Sequence, residues 1–228
     1  FGKLKIVNSM KIVNCKLKIN KNPIAIGLGI AVALAITGTV LGLNGFFGGG
    51  ATIPSDTMTR GLVGFWSMDE GRGTTTADIS GNNNTGVFVS TTTSPAWTNP
   101  AKVGGGLLFD GTNDYIPALN VGLVQSVEFW VKDSNATDGI LELINNATYI
   151  SIAASAITAT GFTSPTIYVN GVATSTLASG WNHVVVVDTT TVAAASFLIG
   201  EANTDFMAGT IDEVRVYNRA LSAEEIRY

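Results

Sequence analysis

Few residues in this sequence could perform acid-base or nucleophilic chemistry. His183 is the only histidine, and it begins an apolar stretch after Trp181-Asn182. A lone histidine in such a context is usually a packed residue, and no Gly-x-Ser-x-Gly motif supplies a nucleophile for it. Glu128 and Asp133 flank an apolar stretch, but no motif places two carboxylates about 5 to 9 Å apart, as glycoside hydrolysis requires. We therefore expect a protein that is not an enzyme.

Two aromatic residues have the chemistry of a sugar contact. Trp97 and Tyr149 fall in loop-like or strand-end contexts, where a flat apolar ring with a polar tip can stack on a sugar. The alternative is that both rings pack in the core.

Three Asn-x-Thr sequons mark candidate N-glycosylation sites at Asn83, Asn135 and Asn146. They have meaning only in a host that glycosylates exported proteins. A threonine-rich surface would also fit glycan decoration.

An apolar run from Ile24 to Leu43 carries no charge. It determines on which side of a membrane the rest of the chain is expected to lie. About 20 apolar residues suffice for a helix to cross a membrane. Six lysines and no acidic residue precede the run, so the positive-inside rule predicts that the chain after Leu43 is exported. A cleaved signal peptide and a buried soluble helix are the alternatives, but the run is long for the first and unbroken by polar residues for the second.

Small residues recur along one side of this predicted helix. Ala25, Gly29 and Ala33 are spaced every four residues, and Gly38 and Gly42 form a GxxxG pair. Such spacing lets helix backbones approach closely and predicts self-association. The alternative is that small residues are simply common in membrane spans.

The segments on either side of the helix differ in charge. Residues 1–22 are a basic head with six lysines, whose period fits either a strand or a helix and whose charge favours anionic lipid. Residues 46–60 are a Gly/Pro hinge. The rest of the chain carries seven basic residues against all 17 acidic ones, which argues against nucleic-acid binding. The lone Cys15 cannot form an intramolecular disulfide.

From Gly61 onward the pattern changes to short strands separated by Gly, Asn, Asp and Thr turns. Many short strands at near-regular spacing predict an all-β sandwich or barrel over residues 61–228. The predicted strands are Leu62 to Met68, Gly86 to Ser90, Leu107 to Phe109, Val127 to Lys132, Ile140 to Ile144, Tyr149 to Ile152, Thr166 to Asn170, Val184 to Asp188, Ser196 to Ile199 and Thr210 to Tyr217. Ser222 and Glu225 have the spacing of a capping box that opens a terminal helical turn.

Several ordered motifs in this region resemble the laminin-G-like (concanavalin A-like) domain. They are GLVGFWSMDEG from Gly61, DISGN from Asp78, KVGGGLLFDG from Lys102, VEFWVK from Val127, WNHV from Trp181 and GTIDEVRVYNRALS from Gly209. The resemblance spans Gly61 to Tyr228. It implies a two-sheet jelly roll, a fold that lectins and adhesion modules use.

The resemblance also implies a calcium site. Asp78, Asn82 and Asp212 resemble positions where some family members hold structural calcium, and their oxygens would supply part of a shell of six to eight. The alternative is that Asp78 caps its own turn and that Asp212 makes a local salt bridge.

Together these features predict a cell-surface structural and adhesive protein with four parts. They are a basic head (1–22), a hydrophobic helix that is a membrane span or filament core (23–45), a hinge (46–60) and a jelly-roll domain (61–228). The plan of an apolar helix before a β-domain is similar to type IV pilins, which implies a filament subunit that self-assembles through the helix. The alternatives are a monomeric membrane-anchored lectin and, less favoured, an exported glycan hydrolase.

Overall fold

The computed structural model describes residues 58–89, 95–133 and 137–227, together with four two-residue strands nearer the N-terminus. The chain divides into two compact units, Phe1–Gly50 and Ala51–Tyr228. The strands, in chain order, are β1 (Lys11–Ile12), β2 (Cys15–Lys16), β3 (Ala35–Ile36), β4 (Thr39–Val40), β5 (Leu62–Trp66), β6 (Thr75–Thr76), β7 (Gly86–Val87), β8 (Ala96–Thr98), β9 (Gly106–Asp110), β10 (Ile116–Leu119), β11 (Gly122–Asp133), β12 (Thr137–Ile144), β13 (Thr148–Ala153), β14 (Ala156–Thr160), β15 (Thr166–Val169), β16 (Val172–Ala173), β17 (Asn182–Ala194), β18 (Phe197–Ile199), β19 (Glu201–Ala202), β20 (Asp205–Phe206) and β21 (Ala208–Tyr217).

In the first unit, β1 pairs with β2 and β3 pairs with β4, both antiparallel. The four residues of β3 and β4 belong to the predicted helix 23–45, and here they are strand residues. The remainder of that segment lies outside the described residues, including the predicted packing positions Ala25, Gly29, Ala33, Gly38 and Gly42. The long helix and its packing therefore stay predictions. Within the described part of the chain, no helix has the length and apolarity needed to cross a membrane.

The second unit contains two large antiparallel sheets, which confirms the predicted all-β sandwich, and two small two-stranded sheets, β6-β7 and β19-β20. The smaller of the two large sheets has five strands in the order β10-β18-β12-β13-β14. The larger has eight, in the order β16-β15-β17-β11-β21-β9-β8, with β5 also paired to β21. The long neighbours β11 and β17 form its centre.

Alternation of apolar and polar side chains creates the core between the sheets. In β13 Ile150 and Ile152 are buried, whereas Tyr149 and Ser151 between them are only half-buried. Successive side chains of a strand point to opposite faces, so the isoleucines enter the core and their neighbours face outward. Trp66 and Phe197 stack in this core with ring centroids 5.3 Å apart.

The C-terminal segment covers part of the outer face of the eight-stranded sheet. Leu221 and Ile226 form a second apolar cluster with Val185 of β17 and Tyr217 of β21. A 3₁₀ turn at Glu225–Arg227 ends the described chain. The Glu225 amide donates to Ser222 Oγ, and the Ser222 amide donates to Glu225 Oε2. The predicted capping box is therefore confirmed.

Candidate functional site

The outer face of the five-stranded sheet carries a line of side chains in register. The cross-strand partners in this line run from β10 to β14 and are Pro117, Leu198, Glu142, Tyr149 and Thr160. Ile150 of β13 enters the core, so its neighbour Tyr149 faces away from the core. β13 is the second strand from the edge and pairs with the edge strand β14. The structure thus places this predicted sugar contact on an outward-facing surface.

Residues with hydroxyl groups lie beside Tyr149 on the same face of the sheet. Ser151 on the same strand shares a hydrogen bond of 2.7 Å with Thr158 on β14, and both residues are half-buried. Thr160, the cross-strand neighbour of Tyr149, is exposed. An aromatic ring bordered by hydroxyls can offer both a flat apolar contact and hydrogen bonds to a sugar.

A hairpin formed by β19 and β20 lies on the same sheet. At Gly139 of β12 the hairpin backbone comes so close that an added Cβ would overlap the carbonyl oxygen of Asp205 and lie 2.5 Å from the nitrogen of Ala202. Glycine is therefore required there for the close approach of two backbones. The backbone N–H of Asn203, at the hairpin turn, donates a hydrogen bond of 3.0 Å to Glu142 Oε2. We call the line around Tyr149, with Ser151, Thr158 and this hairpin, the tyrosine face.

Two carboxylates meet where the hairpin crosses the sheet. Glu142 is buried, and Glu201 of β19 is half-buried beside it. Burial raises the pKa of Glu201, and the negative charge of Glu142 raises it further. Sequence reasoning missed this pair because the two residues are 59 positions apart and meet only through the hairpin.

Trp97 does not join Tyr149. It lies on β8, at one end of the eight-stranded sheet, where its indole N–H donates to the Gly73 carbonyl at 2.9 Å. Its ring packs on Phe88 with centroids 5.3 Å apart. Trp97 thus contacts Phe88 and Gly73 on the eight-stranded sheet, whereas Tyr149 lies on the five-stranded sheet. The two predicted sugar contacts therefore belong to different surfaces.

Asp78 and Asn82 form a turn. Both Asp78 oxygens accept backbone amides, Oδ1 from Phe65 and Ser80 and Oδ2 from Asn84, each at 2.9 Å. Burial acts to raise the pKa of Asp78, but these hydrogen bonds outweigh it and the pKa is lowered. The Asn82 amide nitrogen donates to Leu62 O and Ser80 Oγ. Asp78 therefore caps its own turn, which was the alternative to calcium binding.

Asp212 lies elsewhere, on β21, and shares none of these partners. Its Oδ2 accepts the amides of Lys102 and Val103 at 3.0 and 2.8 Å. The calcium ligands predicted from the resemblance therefore do not fit as one set. Within the described residues, no group of three or more His, Cys, Asp or Glu side chains is placed to hold a metal ion.

Two of the three predicted N-glycosylation positions are described, and both are exposed. Asn83 follows the Asp78 turn, and Asn146 lies in the turn between β12 and β13. Asn135 lies outside the described residues. A glycan on Asn146 would stand three residues before Tyr149, at the end of the tyrosine face.

A buried polar cluster occupies the outer face of the other sheet. His183 Nε2 lies 2.9 Å from Glu128 Oε1, and Tyr217 donates its hydroxyl to Glu128 Oε2 at 3.2 Å. The His183 ring also contacts Trp130, with centroids 4.9 Å apart. A depression of about 460 Å³ adjoins the cluster, and its lining residues are Trp130, Asn170, Gly171, His183, Ile226 and Arg227.

The comparisons with known proteins agree with this fold. A family model described as the concanavalin A-like lectin/glucanases superfamily matches residues 71–227. No curated protein sequence matches the chain. Domain 4 of AbnA, a GH43 extracellular arabinanase from Geobacillus stearothermophilus solved in complex with arabinotriose, is 19% identical with a TM-score of 0.54. The alignment covers 73% of this chain and 96% of that one.

A second solved structure is more distant. The receptor binding domain of botulinum neurotoxin C/D mosaic serotype is 12% identical, with a TM-score of 0.43 and coverage of 73% of this chain and 50% of that one. This chain therefore spans about half the length of the toxin domain. At 19% identity the likeness to the arabinanase domain shows the fold alone, and nothing is argued from the toxin domain.

Proposed function

Because the chain belongs to the concanavalin A-like lectin/glucanases superfamily, we propose that residues 61–228 form a non-catalytic glycan-binding module of a cell-surface protein. The observation that carries the proposal is the tyrosine face. It combines an outward ring at Tyr149, the hydroxyls of Ser151 and Thr158, and a hairpin that borders them.

The chemistry of this face suits a neutral or weakly polar sugar. Sugar rings present C–H faces that pack on an aromatic ring, and hydroxyls that exchange hydrogen bonds with serine and threonine. An arabinanase domain of the same fold was solved with a bound arabinotriose, so a short oligosaccharide is a suitable first probe.

A glycan-array screen of the full chain, followed by calorimetric titration of the best oligosaccharide, tests the proposal. Tyr149→Ala should weaken binding at least fivefold, because truncating a stacked aromatic ring costs roughly 1–3 kcal/mol. The matched control is Trp97→Ala, which removes the other predicted sugar contact and should leave affinity unchanged. An unchanged affinity in Tyr149→Ala would contradict the proposal.

Glycan hydrolysis is a second candidate, and the Glu142–Glu201 pair favours it. A carboxyl group whose pKa is raised by burial and a neighbouring charge can act as a general acid. However, Glu142 is 2% exposed and one of its oxygens already accepts the Asn203 amide. We therefore assign the pair to hairpin docking. Release of reducing ends by the wild-type chain, abolished in Glu201→Gln, would favour the hydrolase instead.

Placement at the cell surface and self-association belong to the same proposal and rest on the sequence. The charge-free run Ile24 to Leu43 after six lysines supports a membrane-inserted helix. The GxxxG pair Gly38 and Gly42 supports assembly of several copies through that helix. Whether the protein is a filament subunit or an anchored monomer, it would present the tyrosine face outside the cell to carbohydrate or to a surface protein.

A further inference from the structure

The depression on the outer face of the eight-stranded sheet is lined by residues that are far apart in the sequence. Trp130 of β11 and His183 of β17 line it from the sheet, and Asn170, Gly171 and Arg227 line it from connecting segments. Its volume of about 460 Å³ falls within the range of about 300–1,000 Å³ that small-molecule sites occupy. The depression is separate from the tyrosine face, which lies on the other sheet, and it has room for a ligand of monosaccharide size.

Hydrogen bonds fix the polar side chains of the depression before any ligand arrives. Asn170 Oδ1 accepts the backbone N–H of His183 at 3.0 Å, and Asn170 Nδ2 donates to Asn182 Oδ1 at 3.1 Å. His183 Nε2 lies 2.9 Å from Glu128 Oε1, and its ring contacts Trp130 with centroids 4.9 Å apart. Because these side chains are already ordered, a ligand that binds here pays little of the usual ordering cost.

The C-terminal turn brings a positive charge to the depression. An added Cβ at Gly171 would lie 3.7 Å from Arg227 Cγ, so the stem of Arg227 runs beside the turn between β15 and β16. Arg227 is exposed, and among the described residues it forms no ion pair. A guanidinium binds a carboxylate or a phosphate through two parallel hydrogen bonds, so the depression presents a group suited to an anion.

Two lysines extend the positive charge around Trp130. Lys102 Nζ lies 4.0 Å from the centroid of the Trp130 ring. Lys132 follows Trp130 by two positions on β11 and therefore projects from the same face. Both lysines are exposed, and within the described ranges neither forms an ion pair. With Arg227 they are three of the seven basic residues after Gly50, in a region that carries all 17 acidic ones, so the clustering of positive charge is local.

The acidic side chains of the same face are buried and engaged. The Glu128 carboxylate contacts His183 and accepts the Tyr217 hydroxyl, and Arg215 lies 3.9 Å from it. Glu213 is buried and pairs with Arg215. The exposed positive charges next to the depression are therefore left to act on a ligand. The rest of the domain is acidic, which favours one small anionic group over a long polyanion.

We propose that this depression is a second ligand site, which binds a saccharide end group that carries a carboxylate or a phosphate. Arg227 binds the anionic group, and Lys102 and Lys132 attract it at longer range. Trp130 packs against C–H groups of the sugar ring, and the remaining Nδ2 proton of Asn170 bonds a hydroxyl.

This site goes beyond the glycan binding proposed for the tyrosine face. That face includes the carboxylates of Glu142 and Glu201, so it suits uncharged sugars, whereas the depression suits charged ones. The two sites lie on different sheets and take ligands of different charge, so each can fail without the other.

Calorimetric titration of the full chain with four probes tests the ligand class. The probes are glucuronic acid, a hexose 6-phosphate, neutral glucose and inorganic phosphate. We expect saturable binding of the two charged sugars, weakened by added salt because exposed charges are screened, and no binding of glucose. Inorganic phosphate should bind more weakly than the hexose phosphate, because it lacks the ring contacts. Failure of both charged sugars to bind, or equal affinity for inorganic phosphate, would overturn the proposal.

Variants of exposed side chains test the position of the site. Arg227→Gln should weaken binding of the charged sugars about tenfold, because a charge-assisted bidentate contact is lost. Lys102→Gln should weaken it about twofold to threefold, since its charge acts through solvent. The matched control is Arg72→Gln, which removes an exposed positive charge between β5 and β6 and should bind as wild type. Tyr149→Ala should also keep the charged sugars, because it alters only the tyrosine face. Wild-type affinity in Arg227→Gln, or loss of the charged sugars in Tyr149→Ala, would contradict the second site.

Discussion

The contact between the β19–β20 hairpin and the sheet gives the sharpest structural prediction. Gly139→Ala adds a methyl group where the Asp205 carbonyl oxygen already touches the β12 backbone. Neither partner is a flexible side-chain end, so the hairpin must lift. Overpacking costs about 1–3 kcal/mol, and losing the Asn203 amide from the Glu142 carboxylate costs about 1.5–3 kcal/mol. These effects overlap, and a loss of about 3 kcal/mol is expected.

For a domain of this size, 3 kcal/mol corresponds to a fall of roughly 6 to 12 °C in melting temperature. Calorimetric unfolding measures it, and glycan titration of the same variant should show weakened binding because the border of the tyrosine face moves. The control is Gly122→Ala, whose added Cβ would meet nothing within 4 Å and whose φ of +85° carries only a backbone cost of about 1–2 kcal/mol. If Gly139→Ala melted and bound like wild type, the hairpin would not border the site.

Two further predictions concern the ends of the chain. The hydrogen bond from Arg219 lowers the pKa of Glu225 to about 2 despite burial, so its stabilisation is full above the unfolded value near 4.5 and is lost as pH falls toward 2. Glu225→Gln should therefore lower the free energy of unfolding at pH 7 by about 1–3 kcal/mol, with little difference from wild type near pH 2; equal urea midpoints at pH 7 would contradict this. In the predicted helix, Gly38→Leu and Gly42→Leu should leave membrane insertion intact but disperse oligomers, because bulky residues hold helix backbones apart. Sedimentation in detergent measures this against Leu34→Ile, and oligomers that persist in both glycine variants would leave the helix as an anchor only.

The sequence predicted well what depends on local alternation and short-range spacing. The strand predicted from Tyr149 to Ile152 is present within β13, whereas the sequence left open whether Tyr149 faces outward or packs in the core, and the burial of Ile150 decides this. The three-residue spacing of Ser222 and Glu225 is enough for the capping box. Both depend on backbone geometry within a few residues.

Contacts between distant segments could not be predicted in this way. Asp69 and Asp212 both accept amides of the loop between β8 and β9, and no local period in the sequence encodes that arrangement. The same holds for His183 and Glu128, which the β11–β17 pairing brings to 2.9 Å. The resemblance implied calcium at Asp78, and the turn-capping alternative stood beside it; in the structure both Asp78 oxygens accept backbone amides, from Phe65, Ser80 and Asn84.

Amide hydrogen exchange with and without bound oligosaccharide tests the central claim most directly. If the tyrosine face binds the glycan, protection should be confined to β13, β14 and the hairpin 201–206, and it should disappear in Tyr149→Ala. The depression beside Trp130 provides the internal comparison, because its Asn170 and Gly171 lie in the turn between β15 and β16 of the eight-stranded sheet. Protection at Asn170 and Gly171, with none in β13 and β14, would contradict the account and move the binding site to that depression.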